Sequence, residues 1–200
     1  MFVRTAFYDT NGGSTSFLGK FDAAKYQPAA ERTWARLNDL KPSLWMKGTT
    51  YPQTQTEVGK LYADGTLAAY LTYGPGLVGK EVDKGTYPKT TREAVFTDGN
   101  IGNISNIAVP KNAAHKAAGK VLAEVLLSPE SQIEYFKAAG GFPAIVADKA
   151  GPDFKRQLDA VPVSPSVLPL ADLTKNALPE LEKAYVVRIE QDWKTNVLQK

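Results

Sequence analysis

Proton-transfer and nucleophilic catalysis need a poised base, and this chain offers one histidine, His115, and no cysteine to supply it. His115 falls early in an alanine-rich run beside Lys116 and Lys120, which predicts a solvated imidazole. A serine triad would need that imidazole, and no Gly-x-Ser-x-Gly elbow occurs in the sequence. The lack of cysteine removes disulfides and thiolate metal sites, and no second histidine supports the scattered carboxylates as ligands. With 21 acidic residues, a working pair of carboxylates could be assembled, so a hydrolase or transferase of α/β fold using an unidentified pair is the alternative function. Spacing nominates no such pair. No catalytic residue, metal site or cofactor is therefore expected.

Two stretches have the form of ligand-holding devices. "GPGLVG", Gly74 to Gly79, matches Gly-x-Gly-x-x-Gly after an apolar run, which is half of a dinucleotide fingerprint. The other half is missing: Pro75 stiffens the turn, "KEVDKGTYP" soon interrupts any helix, and no ribose-binding acid follows a second strand. Thr54-Gln55-Thr56-Glu57 fits a capping box, in which the threonine hydroxyl accepts a backbone N–H and the glutamate reaches back. The loop from Tyr51 to Thr54 precedes it, so the amides of that helix end could face a polar or anionic ligand. Asn103-Ile104-Ser105 is formally a glycosylation sequon, a triplet that arises readily by chance.

The elements that would position these residues alternate between helix and short strand. Phe2, Val3, Ala6 and Phe7 share a helical face, yet no capping residue precedes Phe2, so the chain is expected to begin inside an element, with Met1 an artificial start or internal cut. Ser14 to Phe21 is a short helix or turn after the Asn11-Gly12-Gly13 break. Pro28 opens a helix with Ala30, Trp34, Leu37 and Leu40 on its buried face, stopped by Pro42. Ser43 to Tyr51 is expected as a short strand and loop. The helix capped by Thr54 carries Val58, Leu61 and Tyr62 and ends at Asp64-Gly65. Leu67 to Tyr73 is apolar with little alternation, as a strand covered on both faces would be, which predicts a parallel sheet with Tyr73 at its carboxyl edge.

A second strand is expected from Glu93, leading to the polar "GNIGNISN" segment, whose composition is that of a hinge. After Pro110, Asn112 should cap an amphipathic helix bearing Ala117, Val121, Leu122, Val125 and Leu126. Ser128 caps the next, with Pro129 at its first position and Ile133, Tyr135 and Phe136 packing it before Gly140-Gly141. Pro162, Pro165 and Pro169 mark an extended connector. The last helix should start near Pro179 and place Leu181, Tyr185, Ile189, Trp193 and Val197 on one side.

Bulk properties narrow the partners. The 200 residues, 43% of them hydrophobic, are enough for one large or two small domains. The net charge of +3 is the small difference of 24 basic and 21 acidic residues spread along the chain, so no basic stripe calls for nucleic acid. No apolar run approaches a membrane span of about 20 residues, so membrane insertion is not expected.

"GNISNIAVPKNAAHKAAGKVLAEVLLSPESQIEYFKAAGGFPA", residues 102–144, resembles the stretch of bacterial extracellular solute-binding proteins where a hinge strand ends in an Ile-Pro-Lys-Asn-Ala type turn. A helix and a Leu-Leu-Ser-Pro-Glu-Ala-Gln type helix start then follow. Val109 and Ser131 stand where that family often has isoleucine and alanine. "KLYADGTLAAYLTYGPG" and "ALPELEKAYVVRIEQDW" are similar to its second-lobe helix-turn-strand and its closing helix. The group it resembles most is the binding components of ABC importers related to iron, thiamine and polyamine carriers. The resemblance implies an α/β, periplasmic-binding-protein-like (type II) lobe over residues 1–99, with residues 100–200 crossing the hinge and returning as C-terminal helices to an incomplete first lobe. It further implies no chemistry, a small-molecule solute held in a cleft between lobes, an ABC transporter permease as partner, and a periplasmic or extracellular location, with no signal peptide in this chain. By position, the expected ligand contacts are Tyr51, Gln53 and Thr54 at the capped helix, Tyr73 at the strand end, Asn103 near the hinge, and Trp45.

Overall fold

A computed structural model describes residues 2–13, 15–74, 76–102 and 106–200. In chain order its α-helices are α1 (Phe2–Asp9), α2 (Ala23–Leu40), α3 (Gln55–Ala63), α4 (Leu77–Asp83), α5 (Lys116–Leu127), α6 (Pro129–Ala139), α7 (Ala147–Ala150), α8 (Pro152–Asp159), α9 (Leu170–Thr174) and α10 (Lys183–Trp193). The described strands are β1 (Asn100–Ile101) and β2 (Ala177–Leu178), paired in parallel with Asn100 opposite Ala177 and Ile101 opposite Leu178. The chain is thus mostly helical with one small sheet. It divides into two compact units: Met1–Thr72, Ala94–Asn103 and Ala171–Lys200 form the first, Tyr73–Glu93 and Ile104–Leu170 the second.

The first unit is built around aromatic rings. Asp22 caps α2, its Oδ1 accepting the amides of Ala24 (2.9 Å) and Lys25 (3.3 Å). Tyr26, Ala29, Ala30, Thr33, Trp34 and Leu37 recur at helical spacing and form its buried stripe. The helix therefore starts five residues before the expected Pro28, which lies inside it: the cap and Tyr26 both precede the proline. Buried Phe7, Phe17, Tyr26 and Tyr185 meet there, Phe17 edge-on to Tyr185 at 5.4 Å and to Phe7 at 4.9 Å. The α10 helix starts at Lys183, later than expected, because the Glu182 carboxylate caps it through the Ala184 amide (2.8 Å). Its Tyr185 and Ile189 enter the same core, and the Tyr185 hydroxyl accepts the Asp22 amide at 2.9 Å. Arg4 and Glu180 close one side with a 2.7 Å ion pair.

In the second unit Ser128 and Pro129 open α6 as the sequence predicts, the serine hydroxyl accepting the Ser131 amide (3.2 Å), and left-handed Gly140 (φ 77°) ends it. Ile133, Phe136 and, from α8, Phe154 are buried. Tyr135 is not; it is exposed, against expectation, because it lies on the outward face between two buried positions.

Several expected elements do not form. Ser43–Tyr51 contains 3-10 turns, one of them Trp45–Gly48, not a strand. The runs Leu67–Tyr73 and Glu93–Gly99 are irregular rather than strands, and β1 begins only at Asn100. A strand needs a neighbour for its N–H and C=O groups. At Leu67 the amide turns back to the Leu61 carbonyl at 3.0 Å instead of joining a ladder. Asn112 does not cap α5, which starts four residues later with His115 at the cap position and no side-chain cap bond. The apolar residues of the amphipathic α5 are exposed: Val121, Leu122, Val125 and Leu126 all remain accessible.

Candidate functional site

Three of the expected ligand residues, Tyr51, Gln53 and Thr54, lie at the N-terminus of α3. Thr54 is its cap: the hydroxyl accepts the Glu57 amide at 3.2 Å, and Glu57 Oε2 accepts the Thr54 amide at 3.2 Å. The same Oε2 takes the Gln53 amide at 2.6 Å, while Gln53 Nε2 donates to the Tyr51 carbonyl at 2.8 Å. The loop is thereby folded onto its own helix. Gln55 Nε2 reaches the Leu71 carbonyl at 3.3 Å and ties α3 to the segment ahead of Tyr73.

Two consequences follow for what this end can hold. By helix geometry the Gln55 and Thr56 amides have no intrahelical acceptor, so they are the donors available here. The Glu57 carboxylate already sits on the positive end of the helix. A second negative charge would meet it at close range, so the end suits a polar or cationic group better than an anion.

Tyr51 is half-buried, its ring packed edge-on against Trp193 of α10 at 5.5 Å, and that burial pushes its hydroxyl pKa up from the ordinary value. Trp193 is a supporting residue that sequence inspection missed: it was legible as one member of the apolar side of the last helix, not as the floor beneath Tyr51. Trp45, half-buried, opens the 3-10 turn Trp45–Gly48. Gln53 and Thr54 are exposed. Tyr73 belongs to the second unit and is 58% exposed, at a loop rather than at a strand end. Asn103 lies outside the described residues. Two shallow hollows on the first unit, of about 460 and 410 Å³, are lined by none of these candidates.

The glycine-rich turn at Gly74 has a structural occupant. Gly76 is left-handed (φ 86°) at the cap position of α4, and a Cβ there would collide with the Gly140 carbonyl oxygen, so only glycine fits. Its amide donates to Glu93 Oε1 at 2.7 Å, and Glu93 Oε2 accepts the Leu168 amide at 3.2 Å. A carboxylate of the chain itself stands where a phosphate would sit in a nucleotide fold. Burial raises the Glu93 pKa, and these two amides, which favour the charged form, only partly offset it. The lone His115 is exposed, as the sequence predicts. Among the described residues no group of three or more His, Asp or Glu could hold a metal ion, and no helix is long and apolar enough to cross a membrane.

Comparison with known proteins agrees with the resemblance carried by residues 102–144. The family described as bacterial extracellular solute-binding protein matches residues 4–160 of the chain. Protein YnjB of Escherichia coli (strain K12) is 29% identical over 173 residues, which cover 86% of this chain and 43% of that protein. The chain thus spans less than half the length of this relative. No solved structure matches it.

Proposed function

We propose, from the premise that the chain belongs to the bacterial extracellular solute-binding protein family, that it serves as part of the extracytoplasmic binding component of an ABC transporter. It captures a small solute, leaves it chemically unchanged and passes it to a membrane permease, in the periplasm or outside the cell. The observation that carries this is the family match across residues 4–160, more than half of the chain. A binding role needs no catalytic group, and the exposed His115 is in keeping with that.

The contacts proposed in the first unit are Tyr51, Gln53, Thr54 and, more peripherally, Trp45. Tyr51 offers a ring face held by Trp193; Gln53 and Thr54 offer hydrogen-bonding groups beside the open amides of α3. Tyr73, and Asn103 outside the described residues, are further proposed contacts, each on its own account. The Glu57 carboxylate at the helix end favours a polar neutral or cationic solute.

The test is a thermal-shift screen of polar neutral and cationic solutes, followed by calorimetry and mass analysis of the solute. A binder present at about 100 times its Kd should stabilise the protein by about 2.7 kcal/mol, return intact, and lose most of its effect with Tyr51→Ala. A folded chain that stabilises with none of these solutes, or that converts one of them, would overturn the proposal.

A further inference from the structure

We propose that Glu93 is a clasp: it binds together three stretches of chain where they leave the second unit, and so confines bending after it to a two-residue joint, Ala94–Val95. Tyr73 and Glu93 are the two ends of one segment of that unit, and Leu170 is the last residue of the other. The Glu93 carboxylate holds the amides of Gly76, at 2.7 Å, and Leu168, at 3.2 Å, close to the ends at Tyr73 and Leu170. The Glu93 amide in turn donates to the Ser166 carbonyl at 2.8 Å. Main chain and side chain of one residue thus grip the same connector, and the side chain reaches the start of α4 as well.

A carboxylate is the side chain that suits this task. Its two oxygens accept independently, whereas glutamine, of the same size, has one acceptor oxygen and could not take both amides in this way. A negative charge at the start of α4 also answers the helix dipole, which accounts for the bond to Gly76 but not for the one to Leu168. Among the described residues no cation is paired with Glu93; neighbouring Arg92 turns its Nη1 to the Lys89 and Thr91 carbonyls, at 2.8 and 2.7 Å. The gripped stretches are also packed. A Cβ on Gly79 of α4 would stand 2.7 Å from Ser164 Cβ and 2.8 Å from Val167 Cγ2, so the connector lies directly against the helix, and Ser166 within it is buried.

Beyond the clasp the chain is anchored again at Phe96, whose amide donates to Asn100 Oδ1 at 2.7 Å within the first unit, and the Thr97 carbonyl accepts Asn176 Nδ2 at 3.0 Å. Between these anchors, among the described residues, the backbone of Ala94 and Val95 makes no hydrogen bond, and both residues are exposed. Exposed, unbonded backbone between two fixed points is where φ and ψ change at least cost. The polar segment further on is less free: Asn100 and Ile101 are paired with β2, and the Gly102 amide donates to the Leu178 carbonyl at 2.8 Å.

The experiment follows amide hydrogen exchange and backbone nitrogen relaxation by NMR in the full chain and in Glu93→Ala and Glu93→Gln. Glu134→Gln, at an exposed position of the same unit, is the control of equal charge change. In the parent, Ala94 and Val95 should relax as mobile residues between rigid Glu93 and Phe96. Glu93→Ala should speed exchange of both the Gly76 and Leu168 amides by about tenfold or more, the scale of a lost hydrogen bond to a charged group, and extend the mobility of the joint back to residue 93. Glu93→Gln should release one of the two amides and keep the other, a split that general loosening cannot produce and that decides the matter if the alanine variant does not fold. The control should change neither amide nor joint. No solute is needed, so the clasp stands or falls apart from the proposed function. Parent-like exchange of both amides in the Glu93 variants, release of both by glutamine, or an Ala94–Val95 pair as rigid as its neighbours would overturn it.

Discussion

Tyr185 is the residue on which the first unit most depends, and replacing it in two steps separates its hydroxyl from its ring. The side chain is fully buried, with ring centroids of Phe21 at 4.9 Å and Phe17 at 5.4 Å, and the hydroxyl accepts the amide of Asp22, the cap of α2. Tyr185→Phe keeps the rings and orphans that amide, which should cost about 1–3 kcal/mol. Tyr185→Ala also removes the ring, adding the about 3–5 kcal/mol typical of a large aromatic deleted from a packed core. Against a whole-domain stability of about 5–15 kcal/mol, the alanine variant leaves the unit near its unfolding limit. Urea unfolding followed by tryptophan emission is the assay, because Trp34, Trp45 and Trp193 all belong to the first unit and report it alone. The consequence should reach the candidate site: α10 carries Trp193, so loosening it uncovers Tyr51 and returns its hydroxyl towards the ordinary pKa. An alanine variant within about 1 kcal/mol of the parent would refute the claim that these rings are the core, since even an average point mutation costs that much.

Two other outcomes are expected. Thr54→Ala removes one half of the capping box and should destabilise α3 by about 1 kcal/mol, seen as faster hydrogen exchange at the Glu57 amide with the first unit's global unfolding little changed. At alkaline pH the buried phenols control stability. Tyr8 is pushed up to about 12, by burial first and then by the charge of Glu180, and Tyr26 is raised further by burial and its hydrogen bond to Asp192. An unfolded phenol ionises near 10, so their stabilising contribution is complete below that pH and is lost as pH rises towards 12. Phenolate absorbance and unfolding should therefore rise together in that window, and Tyr8→Phe should shift the midpoint upward.

What the sequence disclosed and what it hid divide by distance along the chain. The capping box at Thr54–Glu57, the Ser128-Pro129 start and the Gly140 stop were legible because each is closed by residues within four positions. The strands expected at Leu67–Tyr73 and Glu93–Gly99 were not, because an apolar run states a wish for burial and says nothing of a partner. The pairing that does form, Asn100 with Ala177, joins segments far apart in sequence and is only two residues long, too short to leave a period. The candidate site shows the same division. Thr54 and Gln53 were found through the cap, whereas Trp193 beneath Tyr51 and Glu93 across the Gly76 turn are long-range partners with no local signature.

The α5 helix shows how far periodicity can be taken. Gly119 lies inward, where an added Cβ would meet both Val109 methyls at 3.2 Å, and Ala123 is half-buried on the same face. Val121 and Val125, on the opposite side, are 60% and 53% exposed, and Leu126, at helical spacing from both Gly119 and Ala123, is itself 44% exposed. The larger aliphatics are thus left accessible around the helix, while Gly119 makes its close approach. A helical period records that one face differs from the other; it does not say which face the chain itself will cover. Here Gly119 sets the close approach to Val109, and the sequence pattern alone would have put the aliphatic stripe inside.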